Sequence, residues 1–202
     1  MAGFPDPLKR LIDEFERLPG IGSKTAERLA FAVLRGRPEE AKVFADALVD
    51  AKKKVMSCAT CSNVATSERC DVCSDASRDP GLVLVVEHPR DVVAFERTGR
   101  WRGTYHVLLG RLSPHEGAGA EALSLKALEA RVAGGKVREI VLGTNPDTEG
   151  DATALAIERR LSGKVPVTRL ARGLSSGGAI EYAGTEVLAE ALRLRRPAIG
   201  GG

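Results

Sequence analysis

The sequence predicts an α/β protein that has a helical module at its N-terminus, a small four-cysteine segment in the middle and a further helix near its C-terminus. Apolar residues recur at helical spacing through residues 1–56. All four cysteines of the chain lie within residues 58–73. From Gly81 onward, short β-branched runs alternate with helical stretches, which is the pattern of a parallel sheet covered by helices on both faces.

The composition indicates a folded protein, which we expect to be cytoplasmic. The chain has 202 residues, of which 43% are hydrophobic and 28% are charged, as in ordinary globular proteins. The first residues lack the apolar core of a signal peptide, and no apolar run is long enough to span a membrane. The net charge of +3 permits nucleic acid as a partner without requiring it, so a DNA-binding surface would depend on local placement of charge.

The first module is expected to contain three amphipathic helices. Asp6-Pro7 predicts an N-cap followed by proline in the first turn, and this helix should end at Pro19-Gly20. Ser23 can cap the second helix, and Pro38 begins the third. The third helix is expected to bury an apolar face that consists of Ala41, Phe44, Leu48 and Val55.

The turn "LPGIG" between the first two helices, followed by "SKTAERLAF", resembles the helix-hairpin-helix motif of DNA-binding proteins. Gly20 and Gly22 place no Cβ in the way, so backbone N–H groups of the turn and the next helix can approach a phosphate. Lys24 and Arg28 share one helix face and can reach neighbouring phosphates. None of these contacts involves a base edge, so we expect DNA binding that is independent of sequence and sensitive to salt. The structural alternative is a helical corner whose glycines only permit tight packing.

The cysteines form two CxxC pairs, Cys58 with Cys61 and Cys70 with Cys73, separated by eight residues. Two such pairs complete the tetrahedral shell of a Zn²⁺ ion, and four sulfur ligands leave no position for water or substrate. We therefore expect one structural zinc ion per chain, which stabilises a segment too small to have a core of its own. The alternatives are reduced cysteines, a redox pair or an iron–sulfur cluster.

The rest of the chain is expected to form a parallel sheet with connecting helices. The candidate strands are "GLVLVVE", "TYHVLLG", "REIVLGT" and "VPVTRL". The candidate helices cover residues 89–97, 120–132, 152–161 and 185–194. A glycine-rich connector of residues 172–184 precedes the last helix, and residues 195–202 are expected to be a disordered end.

Acidic side chains follow two of the predicted strands. Glu87 lies at the end of "GLVLVVE", and the segment "LGTNPDTEGDA" places Asn145, Asp147, Glu149 and Asp151 after another strand. Ligands of parallel sheets gather at the carboxyl ends of the strands, so these groups should face one crevice. The arrangement resembles the Toprim domain of topoisomerases, primases and related nucleases. The resemblance implies acid–base chemistry by the Glu and Mg²⁺ binding by an Asp-x-Asp pair.

Asn145 stands where that pattern has the first Asp, so a divalent ion would lose a carboxylate and should bind weakly. Magnesium at this site is therefore doubtful. Tyr105 and Tyr182 lie in a strand and in the connector, and neither has the context of a topoisomerase nucleophile. We expect an acidic surface without catalytic activity.

The order of the modules, together with "LPGIGSKTAERLAF", "CSNVATSERCDVCSDASRD", "RGTYHVLLGRLSP" and "NPDTEGDATA", resembles the bacterial recombination mediators of the RecR family over nearly the whole chain. The resemblance implies a non-enzymatic DNA-repair protein that forms ring-like clamps of dimers or tetramers around DNA. It implies work with RecO, and in many bacteria RecF, to help RecA replace single-strand binding protein on gapped DNA. Glu87, Asp147, Glu149 and Asp151 would present charge to a basic face of RecO. The alternative is that some of them, Asp151 before Glu149, cap the helix that starts near Asp151.

The motifs along the chain set the predicted domain boundaries. They are residues 1–56 for the helix-hairpin-helix module, 57–74 for the zinc finger, 79–174 for the Toprim domain and 175–202 for the connector, last helix and tail. The connector departs from the family pattern Gly-x-Pro-x-Gly-Gly, because Ser175 stands at the proline position. This departure weakens any inference about an oligomer contact there. Two other functions remain open: a Mg²⁺-dependent Toprim nuclease or primase-like enzyme, and a structural zinc module without DNA contact.

Overall fold

The computed structural model describes residues 3–112, 123–171, 173–174, 177 and 179–194. The chain divides into two compact units, Met1–Lys54 and Val55–Gly202. The first unit is helical, and the second contains the cysteine segment, a four-stranded sheet and the last helix. No helix among the described residues combines the length and the apolar character that a membrane span requires.

The first unit is formed by helices α1 (Asp6–Glu16), α2 (Ser23–Arg35) and α3 (Pro38–Lys54). Leu8 and Ile12 of α1 pack against Ala26 and Ala30 of α2, whose small side chains allow the two helices to approach closely. The N-caps are Pro5 and Gly22, one residue earlier than predicted, because these two residues have the extended backbone that precedes a helix.

Helix α3 does not bury the apolar face that its sequence predicts. None of its residues is buried, Phe44 and Leu48 are 48% and 59% exposed, and Val55 lies beyond the end of the helix. The periodicity locates an apolar stripe correctly, but it cannot identify what covers that stripe. Within the first unit, α1 and α2 already bury residues against each other, and α3 adds none to that core.

The cysteine segment is a small hairpin followed by one helical turn. Strand β1 (Met56–Ser57) pairs antiparallel with β2 (Val64–Ala65), and helix α4 (Asp71–Ser74) follows. The four cysteines form a buried cluster of their own. Val72 packs against this cluster and also against one face of the large sheet, so it joins the cysteine segment to the rest of the second unit.

The large sheet is parallel throughout, as predicted. Its strands are β3 (Asp79–Val86), β4 (Gly103–Val107), β5 (Glu139–Leu142) and β6 (Val167–Arg169), in the spatial order β4-β3-β5-β6. Alternate residues of β3 face opposite sides of the sheet. Val83 and Val85 pack in the core that includes α6 (Leu125–Ala133) and α7 (Thr148–Leu161). Leu84 and Val86 pack in the core that includes α5 (Pro89–Glu96).

The remaining elements differ from the predictions mainly at their ends. Helix α7 begins four residues earlier than the sequence suggested, at Thr148, because Asp147 caps it. Helix α8 (Thr185–Arg193) follows a 3-10 turn at Ile180–Tyr182. The start predicted for α6 at residues 120–122, the Ser175 departure in the connector and the disordered end predicted at residues 195–202 all lie outside the described residues.

Candidate functional sites

The turn between α1 and α2 depends on one glycine for its conformation. The N–H of Ile21 donates to the carbonyl of Leu18 at 3.1 Å, which closes a four-residue turn with Pro19 and Gly20 at its centre. Gly20 has φ +80°, the value that a type II turn requires at its third residue. Gly22 has φ −90°, and a Cβ there would meet nothing within 4 Å. Gly22 therefore keeps the surface of the turn open, whereas Gly20 makes the turn possible.

The N-terminus of α2 is left uncapped by this turn. The Gly22 carbonyl accepts the N–H groups of Thr25 and Ala26 at 2.9 and 3.0 Å, and glycine has no side chain to accept a further one. N–H groups of the first turn can therefore bind an external anion. Lys24 and Arg28 are exposed on the first two turns of α2, and neither forms an ion pair within the part of the chain that the structure describes.

The four cysteines form a group that can hold one metal ion. Their Sγ atoms all lie within 4.8 Å of one another, and the Sγ atoms of Cys61 and Cys70 are 3.6 Å apart. Metal–sulfur bonds of about 2.3 Å in a tetrahedral shell place the sulfurs roughly 3.8 Å from each other, so the donor set fits a zinc-sized ion. The least buried of the four, Cys70 and Cys73, are only 5% exposed. This burial excludes solvent from the shell.

The electrostatics of the cluster favour a bound cation. A hydrogen bond between the thiols of Cys61 and Cys73 raises the pKa of Cys61 and lowers the pKa of Cys73 to about 6. Four buried thiols at this spacing cannot all ionise unless a cation compensates their charge, and a coordinated metal ion provides that compensation. The arrangement therefore suits a closed, structural metal site.

Arg131 of α6 is a positive group near the cysteines that sequence analysis did not identify. Burial lowers the pKa of Arg131, and the cysteines act in the opposite direction. Its Nη1 donates to the carbonyl of Tyr105 at 2.6 Å, and the N–H of Val107 on the same strand donates to the carbonyl of Cys61 at 2.8 Å. Strand β4 thus connects the guanidinium of Arg131 to Cys61, one of the four candidate metal ligands.

Glu87 lies at the end of β3 and is only 1% exposed. Its Oε1 accepts the backbone N–H of Asn145 at 2.7 Å, and its Oε2 accepts the side-chain Nδ2 of Asn145 at 2.6 Å. The backbone N–H and the side-chain amide of Asn145 thus each satisfy one carboxylate oxygen, and an aspartate at position 145 would lose the second of these donors. The expectation that Glu87 presents charge at the surface is corrected by this burial, because its carboxylate is committed to the loop after β5.

Asp147 is the N-cap of α7, since its Oδ1 accepts the N–H of Gly150 at 2.7 Å. Asp151 is therefore not the N-cap, although it lies in the first turn of α7, where negative charge is favourable. The Oδ1 of Asp151 instead pairs with Nη2 of Arg169 at 2.7 Å. A Cβ at Gly150 would overlap the carbonyl oxygen of Asn145, so only glycine allows this close approach between the loop and the first turn of α7.

Arg111 bridges two of the predicted acidic residues. Its Nη1 lies 2.8 Å from Oδ2 of Asp147, and its Nε lies 2.7 Å from Oε2 of Glu149. The side chains of Arg111, Asp147 and Glu149 are 35%, 48% and 25% exposed, so the bridge lies at the surface of the crevice. Sequence reasoning missed Arg111. Arg111 could have been found from the sequence, because it is a cation a few residues after β4. That strand ends at the same edge of the sheet as β3 and β5.

The tyrosines are not placed to act as nucleophiles. Tyr105 is 1% exposed, and its hydroxyl donates to Oε1 of Glu96 at 2.6 Å. Burial, and then the bond to Glu96, raise the pKa of Tyr105. Tyr182 is 85% exposed and lies in the 3-10 turn before α8. The Tyr105 hydroxyl is buried and committed to Glu96, and no base pairs with the Tyr182 hydroxyl among the described residues.

Comparison with protein families agrees with this architecture. The family described as the RecR helix-hairpin-helix matches residues 8–52, which cover the turn and its flanking helices. The Toprim domain family matches residues 81–171, which cover the parallel sheet and the acidic crevice.

Curated relatives match along almost the whole chain. Recombination protein RecR of Chloroflexus aggregans is 50% identical over 191 residues, which cover 94% of this chain and 93% of that protein. Recombination protein RecR of Streptomyces coelicolor is 49% identical, with 92% and 94% of the two chains covered. Recombination protein RecR of Heliobacterium modesticaldum is 46% identical, with 97% and 99% covered. On this similarity and on the two domains that it spans, the chain belongs to the RecR family of recombination proteins.

Proposed function

We propose that the protein is a DNA-binding recombination mediator without catalytic activity, which acts in DNA repair in the cytoplasm. It acts with RecO, and with RecF where the cell has it, to load RecA onto gapped DNA coated with single-strand binding protein. The observation that carries the proposal is the uncapped N-terminus of α2, which follows an open glycine turn and is flanked by exposed Lys24 and Arg28. We assign residues 1–56 to DNA contact, residues 57–74 to metal binding and residues 79–174 to partner contact. Residues 175–202 form the fourth module, which consists of the connector, the last helix and the tail.

The proposed DNA contact is directed at phosphates. Backbone N–H groups at the start of α2 would bind one phosphate, and the partial positive charge of the helix terminus adds to the attraction. Lys24 and Arg28 lie one helical turn apart on the same exposed side and would bind neighbouring phosphates. Gly20 and Gly22 let the DNA backbone come close, because no Cβ projects from the turn. Such contacts do not depend on base sequence.

We propose that the metal is a single structural Zn²⁺ ion bound by Cys58, Cys61, Cys70 and Cys73. The four sulfur donors suit zinc, and their burial leaves no open coordination position for chemistry. The ion would hold together the hairpin and α4, whose own buried cluster consists only of the four cysteines and Ala65. Zinc binding would thus contribute directly to folding of this segment.

We propose that Asp147, Glu149 and Asp151 form the surface that binds a basic face of RecO. Each is partly exposed, at 48%, 25% and 44% of its side chain. Opposite charge on the partner would guide recognition at this surface. Glu87 contributes indirectly, because its two hydrogen bonds to Asn145 fix the loop that carries the exposed carboxylates.

We propose that the protein is a homo-oligomer, a dimer or a tetrameric ring. Helix α3 leaves large apolar side chains exposed on the first unit, among them Val43 at 68% and Leu48 at 59%. A second copy of the same helix would bury this surface, and contiguous apolar surface of this kind is typical of protein–protein contacts.

We propose that the Toprim crevice carries no bond-breaking chemistry. Glu87 cannot act as a general base on a substrate while both of its oxygens accept hydrogen bonds from Asn145. The pKa of Tyr105 is raised by burial and its hydroxyl is bound to Glu96, so it does not supply a nucleophile. We expect no cleavage, relaxation or primer synthesis with Mg²⁺ or Mn²⁺, and activity that survives purification would overturn this part of the proposal.

The partner surface is tested by charge reversal at Glu149. The experiment measures RecA assembly on gapped DNA coated with single-strand binding protein, with RecO present, and in parallel the affinity for RecO and for DNA. Glu149→Lys should weaken RecO association and RecA loading while DNA affinity is retained. Glu129→Lys is the matched control, since Glu129 is a paired and partly exposed glutamate, at 32%, on α6. Equal losses of RecO and DNA binding, or equal effects of the two substitutions, would contradict the assignment.

A further inference from the structure

We propose that Arg111 is a built-in cation that takes the place of a divalent metal ion in the Toprim crevice. Its guanidinium lies between the carboxylates of Asp147 and Glu149, at 2.8 and 2.7 Å. These carboxylates belong to the acidic segment that would have to hold Mg²⁺ if the crevice had a metal-dependent activity.

Most of the oxygens that a metal ion would need are already engaged. Both oxygens of Glu87 accept from Asn145. One oxygen of Asp147 caps α7 through Gly150, and the other binds Arg111. Mg²⁺ prefers octahedral coordination by oxygen and is usually held through carboxylates. An ion could bind here only after Arg111 had been displaced.

The backbone on both sides of Arg111 is fixed, so the guanidinium is held in place before any ligand arrives. The N–H of Gly110 donates to the carbonyl of Glu87 at 3.0 Å. The N–H of Leu112 donates to Oγ1 of Thr153 at 2.9 Å, and Thr153 is fully buried in α7. This cation belongs to the chain itself, so its presence does not depend on metal supply.

The positions of Asn145 and Arg111 complement each other. Compared with an aspartate, the neutral amide of Asn145 removes one negative charge next to buried Glu87. Arg111 pairs with the carboxylates of Asp147 and Glu149 at the surface and offsets one of their two negative charges. The loop and α7 are thereby held in one arrangement without a metal ion. This inference deepens the proposed non-catalytic role, and it rests on that role only for its biological meaning, because the metal titration that tests it requires neither DNA nor RecO. A separate DNA-cleavage assay distinguishes failure of the inference from failure of the proposed role.

The test is titration with MnCl₂, followed by electron paramagnetic resonance of free and bound Mn²⁺, on the wild-type chain and on variants. Wild type and Arg111→Lys should bind no Mn²⁺ at the crevice up to millimolar concentration, because both retain the cation. Arg111→Gln should gain a site, and Arg111→Gln/Asn145→Asp should bind about tenfold more tightly or better, because it restores a carboxylate. Adding Glu149→Gln to that double variant should remove most of the gain, which locates the ion.

Arg160→Gln is the matched control, because Arg160 is exposed to a similar extent, at 39%, and pairs with Glu129 away from the crevice. It should bind no Mn²⁺. Circular dichroism and zinc content establish that each variant is folded.

Equal Mn²⁺ binding by wild type and Arg111→Gln would overturn the inference, and so would folded glutamine variants that gain no site. If wild type binds Mn²⁺ without cleaving DNA, the inference fails and the mediator role stands. If it binds Mn²⁺ and also cleaves DNA, both fail.

Discussion

Replacement of both Lys24 and Arg28 by alanine removes the cations of the proposed DNA contact and leaves the turn intact. Both side chains are exposed, whereas the contact between α1 and α2 depends on Ala26 and Ala30, which are fully buried. Alanine is the best helix former, so α2 should persist in the Lys24→Ala/Arg28→Ala variant. Loss of DNA binding by this variant would then report lost phosphate contacts.

The expected magnitude follows from counterion release. Each phosphate contact contributes about 0.9 to the slope of log affinity against log salt on duplex DNA. Two lost contacts should reduce the slope by roughly 1.8 for each chain that is bound to the DNA. Between about 50 and 200 mM salt, wild type should therefore lose about tenfold more affinity than the variant for each bound chain, while the variant binds more weakly at low salt.

The assay is fluorescence anisotropy with labelled gapped DNA of two unrelated sequences over a series of salt concentrations. Lys42→Ala/Lys53→Ala removes the same charge from α3 and serves as the control. If the salt-dependence slope decreases equally in the two double variants, the phosphate contacts of Lys24 and Arg28 are refuted, because net charge would then explain the effect. They are also refuted if Lys24→Ala/Arg28→Ala binds with unchanged affinity and slope, or if the two DNA sequences bind very differently.

Three further outcomes are expected. Cys58→Ser should lose the metal, melt at a lower temperature and assemble less well, and unchanged melting with retained oligomer size would contradict a stabilising ion. Gly150→Ala should lower the free energy of unfolding by about 1–3 kcal/mol, because a Cβ there overlaps the carbonyl of Asn145; urea denaturation measures this, and a neutral effect would contradict the tight loop. Burial lowers the pKa of His106 from 6.5 to about 4, so the unfolded chain takes up its proton first as the pH falls. Between pH 7 and 5, the free energy of unfolding of wild type should fall by about 2 kcal/mol more than that of His106→Gln. Parallel pH profiles of the free energy of unfolding for the two proteins would contradict this.

The features that sequence analysis predicted correctly are those carried by short segments. The cysteine pairs lie within one 16-residue window, and their side chains meet as the spacing indicates. The turn at Gly20 and the parallel sheet also follow from local signals, a Pro-Gly pair and the alternation of strand and helix patterns. In each case a few neighbouring residues contain the physical cause, so the pattern can be recognised without a structure.

The features that sequence analysis missed involve pairs of residues far apart in the chain. Glu87 and Asn145 are 58 positions apart, and Arg111 and Asp147 are 36 apart. The acidic spacing alone suggested a set of exposed carboxylates, but the structure buries Glu87 and pairs the others with arginines. Sequence analysis also could not predict that the apolar face of α3 stays exposed, because periodicity shows an apolar stripe and not what covers it.

We propose above all that the protein binds the DNA backbone and recruits a partner without cleaving the DNA. The most direct measurement mixes purified protein with gapped DNA and Mg²⁺ at low ionic strength, with and without RecO, and divides each sample between a native and a denaturing gel. The account predicts a complex that dissociates as salt is raised and in which every strand stays at full length. Free DNA in all lanes even with RecO present, or strands that have been shortened, would contradict it.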